Sequence, residues 1–309
     1  MQPPLDRAER RVERLGHFHE RPTLDVERFQ RLPIEFLEPV QAGSQLRLLL
    51  AGDADLAMGG YGPAFVMWDK TRGAQKVKVV SPLSGGSVLL LTNDPKIKTL
   101  RDYGPNDRIA ISALKITAQA IALQRAAAKE WGWDQRFRMD ANLVAMSNPD
   151  GMAMVLGGVG EVRSQLAIAP FSVEMLESGK VHQVMDSRDY LEPGSSVAVL
   201  YASAKFREGS PKLYDATAAA IREAFDIIHK DPHGAARVYV AREPQKRELA
   251  WIENMIRDPK TIYYDPVPRG FQKSAEFMVA AGTLKNKPES WKDLVGSLHS
   301  QFRLEVVAM

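Results

Sequence analysis

Residues 49–65 read LLAGDADLAMGGYGPAF, and what this stretch is made for decides the fold. Asp53 and Asp55, one residue apart, suit a hard cation. A calcium loop, however, needs further oxygen ligands and an acidic residue at its twelfth position, and Met58–Ala64 supplies no carboxylate. Gly52 and Asp53 are therefore read as the turn that ends a helix. The stretch has an echo: residues 155–171 read VLGGVGEVRSQLAIAPF. Both run helix, glycine turn, acidic residue, short apolar strand, then a proline with a phenylalanine within two residues. The glycines at 157, 158 and 160 end a helix and precede a strand, the reverse of a dinucleotide-binding loop. Two such units point to two similar α/β halves, although a match this short also arises by chance.

Working outward, Ser44 to Leu50 reads as a helix stopped by Gly52, and LAM (56–58) as the core of a short buried strand. KVKVV (76–80) has β-branched residues at alternate positions and reads as a strand. SVLLLTND (87–94) and RIAIS (108–112) are further apolar strands, and the second feeds TAQAIALQRAAAKEWG, a strong helix. NLVAM (142–146) and QLAIA (165–169) repeat the pattern around the helix DGMAMVLG. Strands alternating with helices predict a mostly parallel sheet covered on both faces. SSVAVLYAS (195–203) is another β-rich run, after which KLYDATAAAIREAFDIIHKD, ELAWIENMI and FQKSAEFMVAAGTL predict helices. Near the N-terminus, Asp6–Phe18 reads as an amphipathic helix and LDVERFQ (24–30) as its partner strand. If the two halves exist, SVLLLTND and SSVAVLYAS cross between them. The first domain is then discontinuous, with a second inserted into it and a ligand held between.

Composition narrows the function. At 309 residues, 45% apolar and 26% charged, the chain suits a folded protein of two domains, at roughly 100 to 200 residues each. Its net charge of +3 is scattered, so nothing demands nucleic acid. The absence of cysteine removes disulfides, thiolate nucleophiles, zinc ribbons and iron–sulfur clusters. No run approaches the ~18 apolar residues of a membrane span. MQPPLDRAERRVERLGHF is charged where an export signal needs an apolar core, so no signal peptide is visible. His17, His19 and Glu20 cluster at a helix end without a third ligand nearby and read as a solvated surface. No nucleophile elbow, H-E-x-x-H or P-loop lysine signature occurs.

What remains is a set of polar residues at strand ends. After RIAIS, residues Ser112, Lys115, Thr117 and Gln119 stand at a helix N-terminus, where free N–H groups and the dipole favour an anion. Thr117 also suits plain helix capping, and the two roles coexist. In SPLSGGS, residues Ser84, Gly85 and Gly86 either bring backbone close to a ligand or make an ordinary turn. Tyr61 and Phe171, one from each echo, either stack on a ligand or pack in the core.

LLAGDADLAMGGYGPAF, VLLLTNDPKIKTLRDYGPNDRIAISALKITAQAIALQRAAAKEWG, MSNPDGMAMVLGG, LAIAPFSVEML and KFREGSPKLYDATAAAIREAFDIIHKDPHGAARVY, in that order, resemble the nitrate/sulfonate/taurine-type substrate-binding proteins of ABC importers. The resemblance runs from about residue 40 to Trp291 and rests on the order of many weak positions. It implies an α/β, two-lobed periplasmic-binding-protein type II fold with two crossover strands as hinge. Lobe I spans 1–90 plus 198–309, and lobe II spans 91–197. By the same resemblance Gly60 and Tyr61 face the ligand from lobe I, with Ser84 and Gly85 in the next cleft loop. Lys115, Thr117 and Gln119 match the helix start of lobe II, and Pro170 and Phe171 match its later loop. The family implies capture of a small anionic or zwitterionic organic solute by hinge closure and delivery to an ABC permease in the inner membrane. It implies a periplasmic, monomeric protein without cofactor, metal or catalysis.

Two departures stand out: the family's first β-strand, whose end loop also lines the cleft, is expected to be missing, and LVGSLHSQFRLEVVAM does not follow the usual ending. Thiamine-pyrimidine synthases look similar at this level and are the alternative, but they resemble one another in a cysteine-rich iron motif that this chain cannot carry. The sensor lobe of a transcription regulator would need a helix-turn-helix, and the N-terminal helix stands alone before a strand.

Overall fold

The computed structural model describes residues 48–73, 76–242 and 247–296. The expected helix over Asp6–Phe18, the strand over 24–30, the His17/His19/Glu20 cluster, the missing first strand and the tail beyond residue 296 lie outside the described residues.

Two mixed sheets organise the chain. The first runs β1–β8–β2–β9, with β1 at Leu56–Gly60, β2 at Lys78–Gly86, β8 at Ser196–Ala202 and β9 at Ile262–Tyr263. The second runs β5–β4–β6–β3–β7, with β3 at Leu89–Thr92, β4 at Arg108–Ile111, β5 at Leu143–Ala145, β6 at Val162–Ala167 and β7 at His182–Asp186. Between and after the strands come helices α1 (Tyr61–Lys70), α2 (Ala118–Trp131), α3 (Asn148–Gly157), α4 (Phe171–Glu177), α5 (Ala204–Gly209), α6 (Pro211–Lys230), α7 (Pro232–Arg242), α8 (Leu249–Arg257) and α9 (Phe271–Ala280).

Each sheet is covered on both faces, as the apolar strand runs require. Along β3 the side chains alternate: Leu90 faces Leu123, Ala126 and Ala127 of α2, whereas Leu89 and Leu91 face Val155 of α3 and Met175 of α4. Ile109 and Ile111 join the first face and Ala110 the second. In the first sheet Val79 and Tyr201 point toward α1 and α9, while Val80 and Ala202 point toward Phe206 of α5 and Tyr214 of α6. The strand period of two thus places every second residue in a different core.

The expectation of mostly parallel sheets holds only for β4 with β5 and β4 with β6. The pairs of β3 with β6 and β7 and of β8 with β1 and β2 are antiparallel. The difference has a topological cause: β3 and β8 enter their sheets from the other domain, so they run against the strands that each α/β unit lays down. β2 passes through Ser87 and Val88 straight into β3, and the chain returns from β7 through residues 187–195 into β8. β3 lies wholly in the second sheet and β8 wholly in the first.

The echoed stretches fold alike. A helical segment ends at Gly52 (φ 83°), β1 follows, and α1 begins at Tyr61; α3 ends at Gly158 (φ 66°), β6 follows, and α4 begins at Phe171. Both glycines occupy the left-handed region that a helix-ending residue needs. β1 lies beside β8 as β6 lies beside β3, and β2 flanks β8 as β7 flanks β3.

Candidate functional site

The carboxyl ends of β4, β5 and β6 meet at one edge of the second sheet, where a polar brace ties their following loops together. Gln119, 3% exposed, donates from Nε2 to the carbonyl of Leu166 at 2.6 Å and to Asn148 Oδ1 at 3.4 Å, and its Oε1 accepts from the Ser112 hydroxyl. One amide therefore holds the ends of β4 and β6 and the start of α3. Thr117 caps α2 by accepting from the N–H of Ala120 at 3.2 Å, and Ser147 caps α3 by accepting from that of Asp150 at 3.3 Å. Capping leaves other first-turn N–H groups directed outward, where the dipole favours negative charge.

From the first domain α1 points its N-terminus at the same place. Its N-cap is Gly60, extended at φ −70°, ψ 155°, with no side chain to satisfy the first turn. Within the first turn, an ideal Cβ on Gly62 would fall 1.8 Å from the carbonyl oxygen of Ile116. Only a glycine lets the two backbones approach this closely. Ala118 and Ile121 of α2 leave the second domain's core and join Tyr61, Ala64 and Phe65 of α1 in the core of the first. The N-termini of α1, α2 and α3 therefore converge at the boundary, α1 against α2 across it and α3 beside α2 through Gln119.

Further contacts cross the boundary. Glu192, on the return segment, takes Arg125 of α2 at 3.3 Å and Lys273 of α9 at 3.5 Å. Trp133 and Phe277 meet edge to face at 5.6 Å. On another side Arg247 pairs with Glu174 of α4 at 2.9 Å and lies 5.0 Å over the Phe171 ring, while Trp251 Nε1 donates to Glu177 at 2.6 Å.

The predicted site residues distribute unevenly over this geometry. Gly60, Thr117 and Gln119 lie at the converging helix ends. Lys115 is exposed at a positive φ of 73° in the loop before α2, and its charge bears on Asp140, whose carboxyl burial pushes up against the pull of Gln124 and Lys115. Pro170 follows a cis Ala169–Pro170 bond, and Phe171 lies half-buried beneath Arg247. Tyr61 is a core residue, 1% exposed, packed at 5.5 Å from Phe65 and 6.4 Å from Phe271. Burial pushes its hydroxyl up to about 12; Ser274 and Arg125 pull it down, and Glu192 adds to the rise.

Ser84 and Gly85 are not in a loop: β2 continues through them, pairing Ser84 with Ala198 and Gly85 with both Ser196 and Tyr263. The bareness of Gly85 makes room for protein, since a Cβ there would fall 1.9 Å from Tyr263 Oη. Tyr263 in turn donates to the carbonyl of Gly194, so one ring joins β2 to the return passage between the domains. Asp53 and Asp55 occupy the turn between the helical segment and β1, and among the described residues no three His, Asp or Glu side chains gather as a metal site. Glu192, Arg247 and Tyr263 carry no signal in the sequence, because irregular segments and a two-residue strand have no period to read. Gly62 was legible as one of the glycines around Tyr61, but its partner was not.

No protein-family model matches the chain, and no curated protein matches it in sequence. Solved structures do match. The periplasmic aliphatic sulphonate binding protein SsuA from Escherichia coli superposes with a TM-score of 0.60 at 16% identity, over 86% of this chain and 82% of its own. The periplasmic nitrate-binding protein NrtA from Synechocystis PCC 6803 gives 0.61 at 15%, over 81% and 73%. A Candida albicans protein described as exhibiting the generic periplasmic binding protein structural fold gives 0.60 at 13%, over 86% and 87%. At these identities the likeness concerns the fold, and this chain has the periplasmic binding protein fold.

Proposed function

We propose that this chain is the solute-binding component of an ABC importer, capturing a small anionic or zwitterionic organic solute between two lobes by hinge closure and breaking no bond. The observation that carries the reading is the convergence of the α1, α2 and α3 N-termini at the lobe boundary. Three helix ends with first-turn N–H groups directed toward one place form a receptor for negative charge that needs no cation of its own.

In this reading the hinge is the pair of short links between β2 and β3 at residues 87–88 and between β7 and β8 within 187–195. Closure is a rotation about these two short links. Gly60 and Thr117 supply the opposing helix starts, Gln119 holds the floor, and Pro170 and Phe171 bound the far side with Lys115 at the rim. Sulphonate- and nitrate-binding neighbours of the same fold support an oxyanion as the recognised group and a periplasmic setting, and a neighbour described as the ligand-binding component of an ABC-type import system supports a permease as partner. Among the described residues no helix is long and apolar enough to cross a membrane.

A thermal-shift panel of sulfonates, carboxylates and nitrate tests the reading. A solute that binds the folded state raises the midpoint by mass action. Thr117→Val, which cannot accept at the helix start, weakens that solute, while Thr117→Ser, which retains the cap, binds as the parent does. A panel without any shift, or a Thr117→Val variant of unchanged affinity, removes this site.

A further inference from the structure

We propose that the cavity at the far end of the first lobe is a second anion site, built for a multivalent oxyanion of the diphosphate class. It lies where α1 ends and β2 begins, away from the lobe boundary that α1 starts from and β2 runs toward. Trp68, Arg72, Lys76, Lys78 and Lys287, with two carboxylates, line about 360 Å³, within the range of small-molecule pockets.

Four cations outnumber the two carboxylates of the lining. Asp293 directs its Oδ2 to the backbone N–H groups of Glu289 at 2.8 Å and Ser290 at 3.2 Å, and Glu289 itself is exposed. Asp69, near Arg72, is committed to the N–H groups of Lys285 and Asn286, both at 2.9 Å. Among the described residues none of the four cations stands in an ion pair. Lys78 feels the crowding: burial, then Arg207, Arg72 and Lys76, hold its ammonium below the ordinary lysine range against the opposing pull of Asp293. Four cations against the carboxylates of Glu289 and Asp293 leave the lining net positive, so it gains from an anion that enters.

The walls are fixed, which separates this cluster from a solvated charge run. Thr71 is 7% exposed; its hydroxyl donates to the carbonyl of Met67 at 2.7 Å and accepts from the N–H of Val77 at 2.9 Å. Its carbonyl accepts from the N–H of Lys76 at 2.7 Å. The guanidinium of Arg72 lies 4.7 Å over the Trp68 ring. Asp69 clasps the 285–286 backbone against α1, and the Ser290/Asp293 capping box holds the facing turn, which joins β2 through Val79 N–H to Leu294 O at 2.9 Å. Each cation is thereby presented from a braced backbone toward the same space.

Calorimetric titration of the full chain with inorganic diphosphate at low ionic strength tests the site, because salt screens such an interaction. The parent binds one equivalent saturably. An Arg72→Gln/Lys287→Gln double variant, altered only at exposed side chains, stays folded by circular dichroism and loses about tenfold or more in affinity. Thr117→Val leaves diphosphate binding unchanged, which separates this site from the cleft. A second arm sediments the chain with phosphatidylcholine vesicles with and without phosphatidylinositol bisphosphate. Binding in either arm that the double variant loses supports the site and identifies its source as free or lipid-borne phosphate. Binding in neither arm, or binding that the double variant keeps while Thr117→Val abolishes it, overturns the proposal.

Discussion

Gly62 in the first turn of α1 abuts the carbonyl oxygen of Ile116, so closely that a Cβ at position 62 would lie 1.8 Å from it. The contact joins the two lobes through backbone on one side and a bare glycine on the other. It places the α1 and α2 N-termini face to face and makes position 62 a gauge of how near the lobes come.

Gly62→Val is therefore expected to hold the lobes apart, because backbone at Ile116 cannot give way as a flexible side chain can. Overpacking of this kind costs about 1–3 kcal/mol. Small-angle scattering should show a larger radius of gyration for the folded variant, with weaker solute binding. A variant of unchanged dimensions would mean that α1 and α2 do not set the closed distance.

The Tyr263 ring over Gly85 makes a second testable pair. Gly85→Ala brings a Cβ within 1.9 Å of Tyr263 Oη and should lower the denaturation midpoint. Tyr263→Ala clears that space, so the double variant should lose less than the sum of the two single losses, a coupling of about 0.5–3 kcal/mol. Strict additivity would show that the ring does not rest on Gly85.

Gln119→Leu keeps the volume but removes the amide that joins Ser112, Asn148 and Leu166. Leaving buried groups without their partner costs about 1–3 kcal/mol, read as a lower urea midpoint. No change in the midpoint would mean that the brace contributes nothing to the site's floor.

Alkaline stability follows from Tyr61. Its pKa is pushed up to about 12 by burial in the folded protein, while an unfolded tyrosine titrates near 10. Below pH 10 neither state ionises and stability is fully present. Between about pH 10 and 12 the unfolded chain releases a proton that the folded chain retains, so stability falls by about 1.4 kcal/mol per pH unit. Denaturant midpoints across this range should drop, and less steeply in Tyr61→Phe. An equal slope in the variant would remove Tyr61 as a source.

The residues that could be read from sequence are those whose signal is local. SVLLLTND announces a strand by its unbroken apolar run, TAQAIALQRAAAKEWG a helix by alanine content and spacing, and Thr117 its cap by position. The helix–glycine–strand echo was legible because Gly52 and Gly158 each end a helix within the motif. Tyr61 and Gly85 misled because their partners, Phe271 and Tyr263, lie far along the chain. A glycine beside distant protein and a glycine beside a ligand look alike in sequence. Strand direction was hidden too, since an apolar run has the same composition whichever way it pairs. Ile121 shows the same limit: helical spacing places it on an apolar face, but only packing shows that it serves the other lobe.

The most direct test measures the distance between the lobes with and without solute. The chain has no cysteine, so Lys70→Cys in lobe I and Glu161→Cys in lobe II, both exposed, accept spin labels without background. Electron–electron double resonance should give a longer or broader distribution for the free protein. A solute that shifts the thermal midpoint should collapse it to the single distance set by the Gly62–Ile116 contact. A distribution that stays the same with every sulfonate, carboxylate and nitrate in the panel would contradict hinge closure on an anionic solute.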